Sequence, residues 1–130
     1  MQIKFTSLTV DDQDKALRFY TEVVGLAKAA DFPMGPMRFL TLCGDAGIEG
    51  GQVILEAAAA FPPSAAYQKA CHEAGRPVLA LNTQDVRADF ARLSALGVTF
   101  RGEPQDLGPI ISVVFDDTCG NLIHLVQAKG

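Results

Sequence analysis

Residues 10–26, VDDQDKALRFYTEVVGL, decide how the rest of the chain is read. Paired aspartates precede a run in which Leu17, Tyr20 and Val24 recur at helical spacing, and Gly25 follows them. An aspartate side chain accepts the free N–H groups that open a helix, and a glycine takes the left-handed conformation that closes one. The stretch predicts a helix with one apolar face. Before it, IKFTSLTV (3–10) alternates as a half-buried strand does. After it come a short strand near KAADF (28–32) and two glycine-bounded runs, MRFLTLCGD (37–45) and GGQVILEA (50–57). Those two runs read as antiparallel strands about a Gly-Asp loop. The first half, about residues 1–58, is therefore predicted as a βαβββ module.

FPPS (61–64) then leads into a connector helix over about 64–75, capped by Ser64 and closed by Gly75, with Tyr67, Ala70, Cys71 and Ala74 as its expected buried stripe. The order restarts beyond it. PVLALNT (77–83) reads as a strand and QDVRADFARLSALGV (84–98) as a helix burying Val86, Phe90 and Leu93. GPIISVVFDD (108–117) and GNLIHLVQ (120–127) read as closing strands, so the second module covers about 76–128. MGPM at 34–37 and LGPI at 107–110 lie 73 residues apart, as do Leu17 and Phe90. One offset serving two elements marks a tandem repeat. The fold class expected is α+β: two βαβββ modules with curled mixed sheets forming a cleft, in one domain spanning 1–130.

At 130 residues, 48% hydrophobic, the chain is long enough to bury one core and too short for a second large domain. Its net charge of −4 is spread without a basic run, so nucleic acid and anionic membranes are not expected partners. Cys43, Cys71 and Cys119 are odd in number and lack CxxC spacing, and no charged-then-apolar leader opens the chain. A reduced, cytoplasmic protein is expected. Even VILEAAAAF (53–61) is cut by Glu56 and halted by Pro62 and Pro63, far short of the roughly 20 residues a membrane helix needs. The glycine-containing stretches CGDAG, GIEGG and TCGN do not join a strand to a helix as a phosphate cradle does, and read as turns.

VDDQDKALRFYTEVVGL, the paired GPM and GPI segments and DDTCGNLIHLV (116–126) together resemble the vicinal oxygen chelate superfamily, which includes glyoxalase I, the bleomycin-resistance proteins and the extradiol dioxygenases. The resemblance covers almost the whole chain. It implies paired modules whose sheets hold a ligand, with metal-dependent members placing ligands on the first and last strand of each module. On that match Phe5 stands at the first ligand position, and Val78, one repeat later, at its counterpart. Neither side chain can bind a metal. The family's final-strand glutamate corresponds to His124, and its fourth-strand position falls on Leu55 or Glu56. A divalent metal through Glu56 and His124 alone would be held weakly, since zinc takes three or four protein ligands and non-haem iron a facial triad. No metal and no cofactor are therefore expected, with a metal-dependent lyase or dioxygenase of incomplete ligand set as the alternative.

His124 has two readings of equal standing: a polar residue satisfied locally, or a cleft imidazole that hydrogen-bonds a ligand or moves a proton. Glu56 reads first as the polar end of a strand, and alternatively as a cleft carboxylate beside His124. His72 is expected to be solvated. Phe5, Phe39 and Val78, with Met34 and Met37 nearby, are either core or the apolar lining of the cleft. Phe39 is expected inward and its neighbour Arg38 outward, because an unpaired buried guanidinium is costly. The reading is a binding protein for a small organic ligand, of the resistance-protein kind and expected to be a homodimer, with Phe5, Phe39, Glu56, Val78 and His124 as candidate contacts. A structural fusion of two modules is a third possibility.

Overall fold

The computed structural model describes residues 1–129 and divides into two compact units, Met1–Gln68 and the chain from Lys69 onward. In the first, β1 (Phe5–Val10) leads into α1 (Gln13–Arg18), which continues as a π-helical turn over Phe19–Val24. β2 (Ala27–Met34), β3 (Met37–Cys43) and β4 (Gln52–Ala57) follow. The sheet order is β1-β4-β3-β2, with β1 and β4 parallel and the other pairs antiparallel. Pro33 is tolerated within β2 because that strand is an edge, where a missing N–H breaks no ladder. Leu8, Val10, Leu40, Leu42 and Leu55 form the core with Ala16, Phe19 and Tyr20 of the helix.

The helical stripe differs from the expected Leu17, Tyr20 and Val24. Asp12 caps α1 by accepting the Lys15 N–H at 2.9 Å, as its sequence position implies. Beyond Arg18 the chain widens to π winding, which carries more residues per turn and rotates the later side chains around the axis. Ala16, Phe19 and Tyr20, at ordinary helical spacing, are buried, Tyr20 as expected, while Leu17 and, beyond the widened turn, Val24 are only half-buried. Gly25 closes the element at φ 102°, a conformation that disfavours any side chain.

The connector, α2 (Pro62–Glu73), lies near the expected place, but it begins at Pro62, so that Ser64 sits inside the helix and does not cap it, and its inner face differs. Cys71 is buried, but Tyr67 is 59% exposed and Ala70 and Ala74 are exposed too. Gln68 fixes the other face, its amide donating to the Thr9 carbonyl at 2.8 Å.

In the second unit, β5 (Leu79–Asn82), α3 (Val86–Ala95), β6 (Gln105–Asp106), β7 (Ile110–Asp116) and β8 (Leu122–Ala128) repeat the order. The sheet runs β5-β8-β7-β6, again with its first pair parallel. β6 is the strand that the sequence pattern did not reveal, since two residues between Gly102 and Gly108 carry no period. Val86 and Leu93 are buried on α3 as expected, and Phe90, half-buried, meets Phe100 at 4.7 Å between ring centroids. Two βαβββ modules, each with a four-stranded mixed sheet, bear out the α+β expectation. No helix among the described residues is long and apolar enough to cross a membrane.

The β7–β8 turn is built as its Asp and Gly-Asn residues imply. Asp117 is fully buried, and its carboxylate accepts the N–H groups of Cys119 and Asn121 at 2.8 and 2.9 Å and the Asn121 side-chain amide at 2.9 Å. A buried carboxylate is stable here because the turn supplies its donors.

Candidate functional site

Side chains alternate across a strand. With Leu8, Val10, Leu40, Leu42 and Leu55 committed to the core, Phe5, Ser7, Phe39, Thr41, Ile54 and Glu56 fall on the opposite face of the first sheet. β2 adds Phe32, the register partner of Phe39. The three aromatic rings touch in a row. Phe5 and Phe39 meet edge to face at 5.7 Å, and Phe32 and Phe39 meet tilted at 5.2 Å. Phe5 is nonetheless 41% exposed and Phe32 47%, so the row presents ring surface that the unit itself leaves uncovered.

Two polar pairs share this face. Thr41 and Gln52 are buried and joined at 2.7 Å. The Ser7 hydroxyl donates to Glu56 Oε1 at 2.8 Å, and Glu56 has no ion-pair partner among the described residues. An open cleft of about 630 Å³ brings Glu56 and Phe32 together with Met37, Gln13, Asp31 and Arg38, near the β2–β3 turn.

Arg38 lies on the face of its strand opposite Phe39, as expected, but it is not left to solvent. It lines the cleft with its charge paired to two carboxylates: Nη1 donates to Asp14 at 2.7 Å, and Nε and Nη2 donate to the two oxygens of Asp31 at 2.8 and 2.9 Å. The cost that argued against it is removed by two carboxylates. The guanidinium in turn holds the Asp31 carboxyl down to about 2, and the two aspartates push Arg38 above its already high range. Gln13 closes the inner wall, its amide donating to the carbonyls of Leu55 at 2.8 Å and Arg38 at 3.3 Å. Asp31 and Gln13 were not singled out in sequence, and Arg38 only by its strand face. A signal existed for Asp31, because a hairpin turning at Gly35-Pro36 sets residues 31 and 38 diagonally across neighbouring strands.

On β4, Leu55 is fully buried in the core and Glu56 faces the cleft. The register adds a further point. Ser7 stands opposite Ile54, and Ala80, 73 residues after Ser7, stands opposite His124. The first-module counterpart of His124 is thus Ile54, neither Leu55 nor Glu56. In the second unit His124 also faces Val114, on the side of its sheet turned from the core residues Val113, Ile123 and Leu125. Its imidazole makes no hydrogen bond or ion pair among the described residues. Val78 lies one residue before β5, half-buried, its N–H donating to Leu122 O at 3.1 Å.

His72 is not simply solvated. Its Nε2 lies 2.9 Å from Asp116 Oδ2, with both side chains about one-third exposed, and ties α2 to β7. Among the described residues no three His, Cys, Asp or Glu side chains come together as a metal site, and the donors present do not fit a bound metal ion.

The sequence pattern of the glyoxalase/bleomycin resistance protein/dioxygenase superfamily matches residues 2–125. The chain belongs to this superfamily. Among relatives, YurT of Bacillus subtilis (strain 168), an uncharacterised protein, is 42% identical over 127 residues, 98% of this chain and 99% of YurT. Among solved superfamily-like structures, UcmS2 superposes with a TM-score of 0.84 at 28% identity, covering 97% of each chain. TnmS3, an antibiotic binding protein from Streptomyces sp. CB03234, superposes with a TM-score of 0.79 at 31% identity, covering 99% of this chain and 97% of its own. Superfamily membership accounts for the repeated module. The chemistry must come from the side chains on it.

Proposed function

We propose that this protein binds a flat, largely apolar organic molecule, such as an aromatic antibiotic, and does so without a metal ion. One observation carries the reading: three rings in mutual contact, Phe5, Phe39 and Phe32, form a partly exposed row beside a cleft of small-molecule size. Aromatic faces left open to water gain by stacking against a planar ligand, and a few polar groups then fix its orientation. Glu56 and Ser7 are those groups here. TnmS3 supports the reading by its description as an antibiotic binding protein. On the second unit, His124 and Val78 are proposed contacts of that unit's own sheet. The full reading is a cytoplasmic homodimer.

Acridone, a neutral, fluorescent, planar tricycle, tests the central point. Calorimetric or fluorescence titration should give saturable binding to the wild type. Phe39→Ala, which removes the middle ring, should weaken it by about tenfold, from lost stacking of roughly 1 kcal/mol together with lost apolar contact. Absence of binding up to millimolar acridone, or equal binding by Phe39→Ala, would sink the proposal.

A further inference from the structure

Resting on that reading, we infer that the cleft selects aromatic ligands carrying a cationic amine, with the ammonium held at Glu56 and the rings along Phe32 and Phe39. Three charged side chains line the cleft: Asp31, Arg38 and Glu56. The charge of Arg38 is already paired, because each of its three nitrogens donates to Asp14 or Asp31. Glu56 is left as a carboxylate with no cation, receiving only the Ser7 hydroxyl on Oε1. The lining is therefore net negative, and its open charge sits where Phe32 shares the cleft wall.

The hydrogen-bond inventory points the same way. Ser7 has turned its single proton toward Glu56, so what remains for a ligand is the second carboxylate oxygen and the lone pairs of the serine oxygen. That is an acceptor-only handle. A carboxylate, sulfonate or phosphate placed at that handle would meet repulsion from Glu56 and receive no donor from Ser7. A protonated amine brings up to three N–H donors and a compensating charge, and charge-assisted bonds are about twice as strong as neutral ones. The neighbouring ring faces also favour a cation, since their quadrupole is negative at the face.

Three planar tricycles separate the terms: 9-aminoacridine, a cation at pH 7, neutral acridone, and anionic acridine-9-carboxylate. On the wild type the cation should bind about tenfold or more tightly than acridone, the anion more weakly than either, and the advantage should shrink with added salt. Glu56→Gln keeps the shape and removes the charge. It should weaken 9-aminoacridine by about tenfold to a hundredfold, the usual value of a hydrogen bond to a charged group, and leave acridone unchanged. Ser7→Ala keeps the charge and should retain the preference for the cation. If acridone and 9-aminoacridine bind wild type alike, or the anion binds best, the charge selection is wrong while the aromatic site stands. If none of the three binds, the site itself is refuted. The wild-type comparison decides these cases even where a variant does not fold.

Discussion

His124 illustrates what a single residue shows before and after the structure is known. In sequence it is an imidazole among Leu122, Ile123, Leu125 and Val126, and a buried polar partner was one of its two explanations. In the fold it faces Ala80 and Val114 on the side of its sheet turned from the core, and among the described residues nothing bonds to its imidazole. His124→Leu should therefore leave the unfolding free energy within about 0.5 kcal/mol of wild type, as substitutions away from buried networks do. Thermal unfolding of the two proteins checks this; a clear drop in midpoint for the variant would assign the imidazole a structural role. The strand faces of Phe39 and Arg38 were legible by the same alternation that places His124, because period two needs no knowledge of neighbouring strands, whereas Glu56 stayed open between a strand end and a cleft carboxylate. The partners of Arg38 were not legible. Its carboxylate partners are 24 and 7 residues away, and only the pairing of β2 with β3 and the seating of α1 bring them to one guanidinium.

Among elements, the aspartates before the first helix were a sound cap signal, whereas Ser64 was not. Asp12 accepts the N–H of Lys15, and in the second unit Asp85 accepts that of Ala88 in the same way. The helix faces were less legible, since π winding in the first helix rotates the apolar set and no local residue announces it. The Arg38 cluster acts at this scale, joining α1 through Asp14, β2 through Asp31 and β3 through its own backbone. Because the folded protein depresses the Asp31 carboxyl to about 2, below the roughly 4 of an unfolded chain, the stabilisation is fully present above about pH 4 and is lost as pH falls toward 2. Arg38→Met removes the cause. In that variant Asp31 should titrate in the ordinary carboxylate range, and the wild type's excess loss of stability between about pH 4 and 2 should disappear. Carboxyl NMR titration of Asp31 and urea unfolding across that range measure both effects; an unchanged Asp31 midpoint would show that Arg38 is not what depresses it. The pair is partly exposed, so its effect near neutral pH should be small.

For the molecule as a whole, the repeat was the legible feature, and its irregularity is informative. The 73-residue offset joins Asp12 to Asp85 and Met37 to Ile110, but the last strands are related by 70, Ile54 to His124, because the loop before β8 is shorter than the loop before β4. A shortened loop is invisible to an ungapped comparison, which is why the fourth-strand position hovered between Leu55 and Glu56. Each module ends its sheet on two edge strands, β1 and β2 in the first and β5 and β6 in the second. Edges invite pairing unless they are covered or blunted. β2 is long, at eight residues, and although Lys28, a register shift after it and Pro33 blunt its edge, its end carries Phe32 at 47% and Met34 at 53% exposure. Most homo-oligomers close by two-fold symmetry, in which one patch meets its own copy. Light scattering at micromolar concentration should then give twice the mass of one chain, and Met34→Lys, placing a charge on that strand's exposed surface, should shift the population toward monomer. A wild-type mass of one chain at tens of micromolar would refute the dimer, and a dimer unmoved by Met34→Lys would locate the contact away from β2.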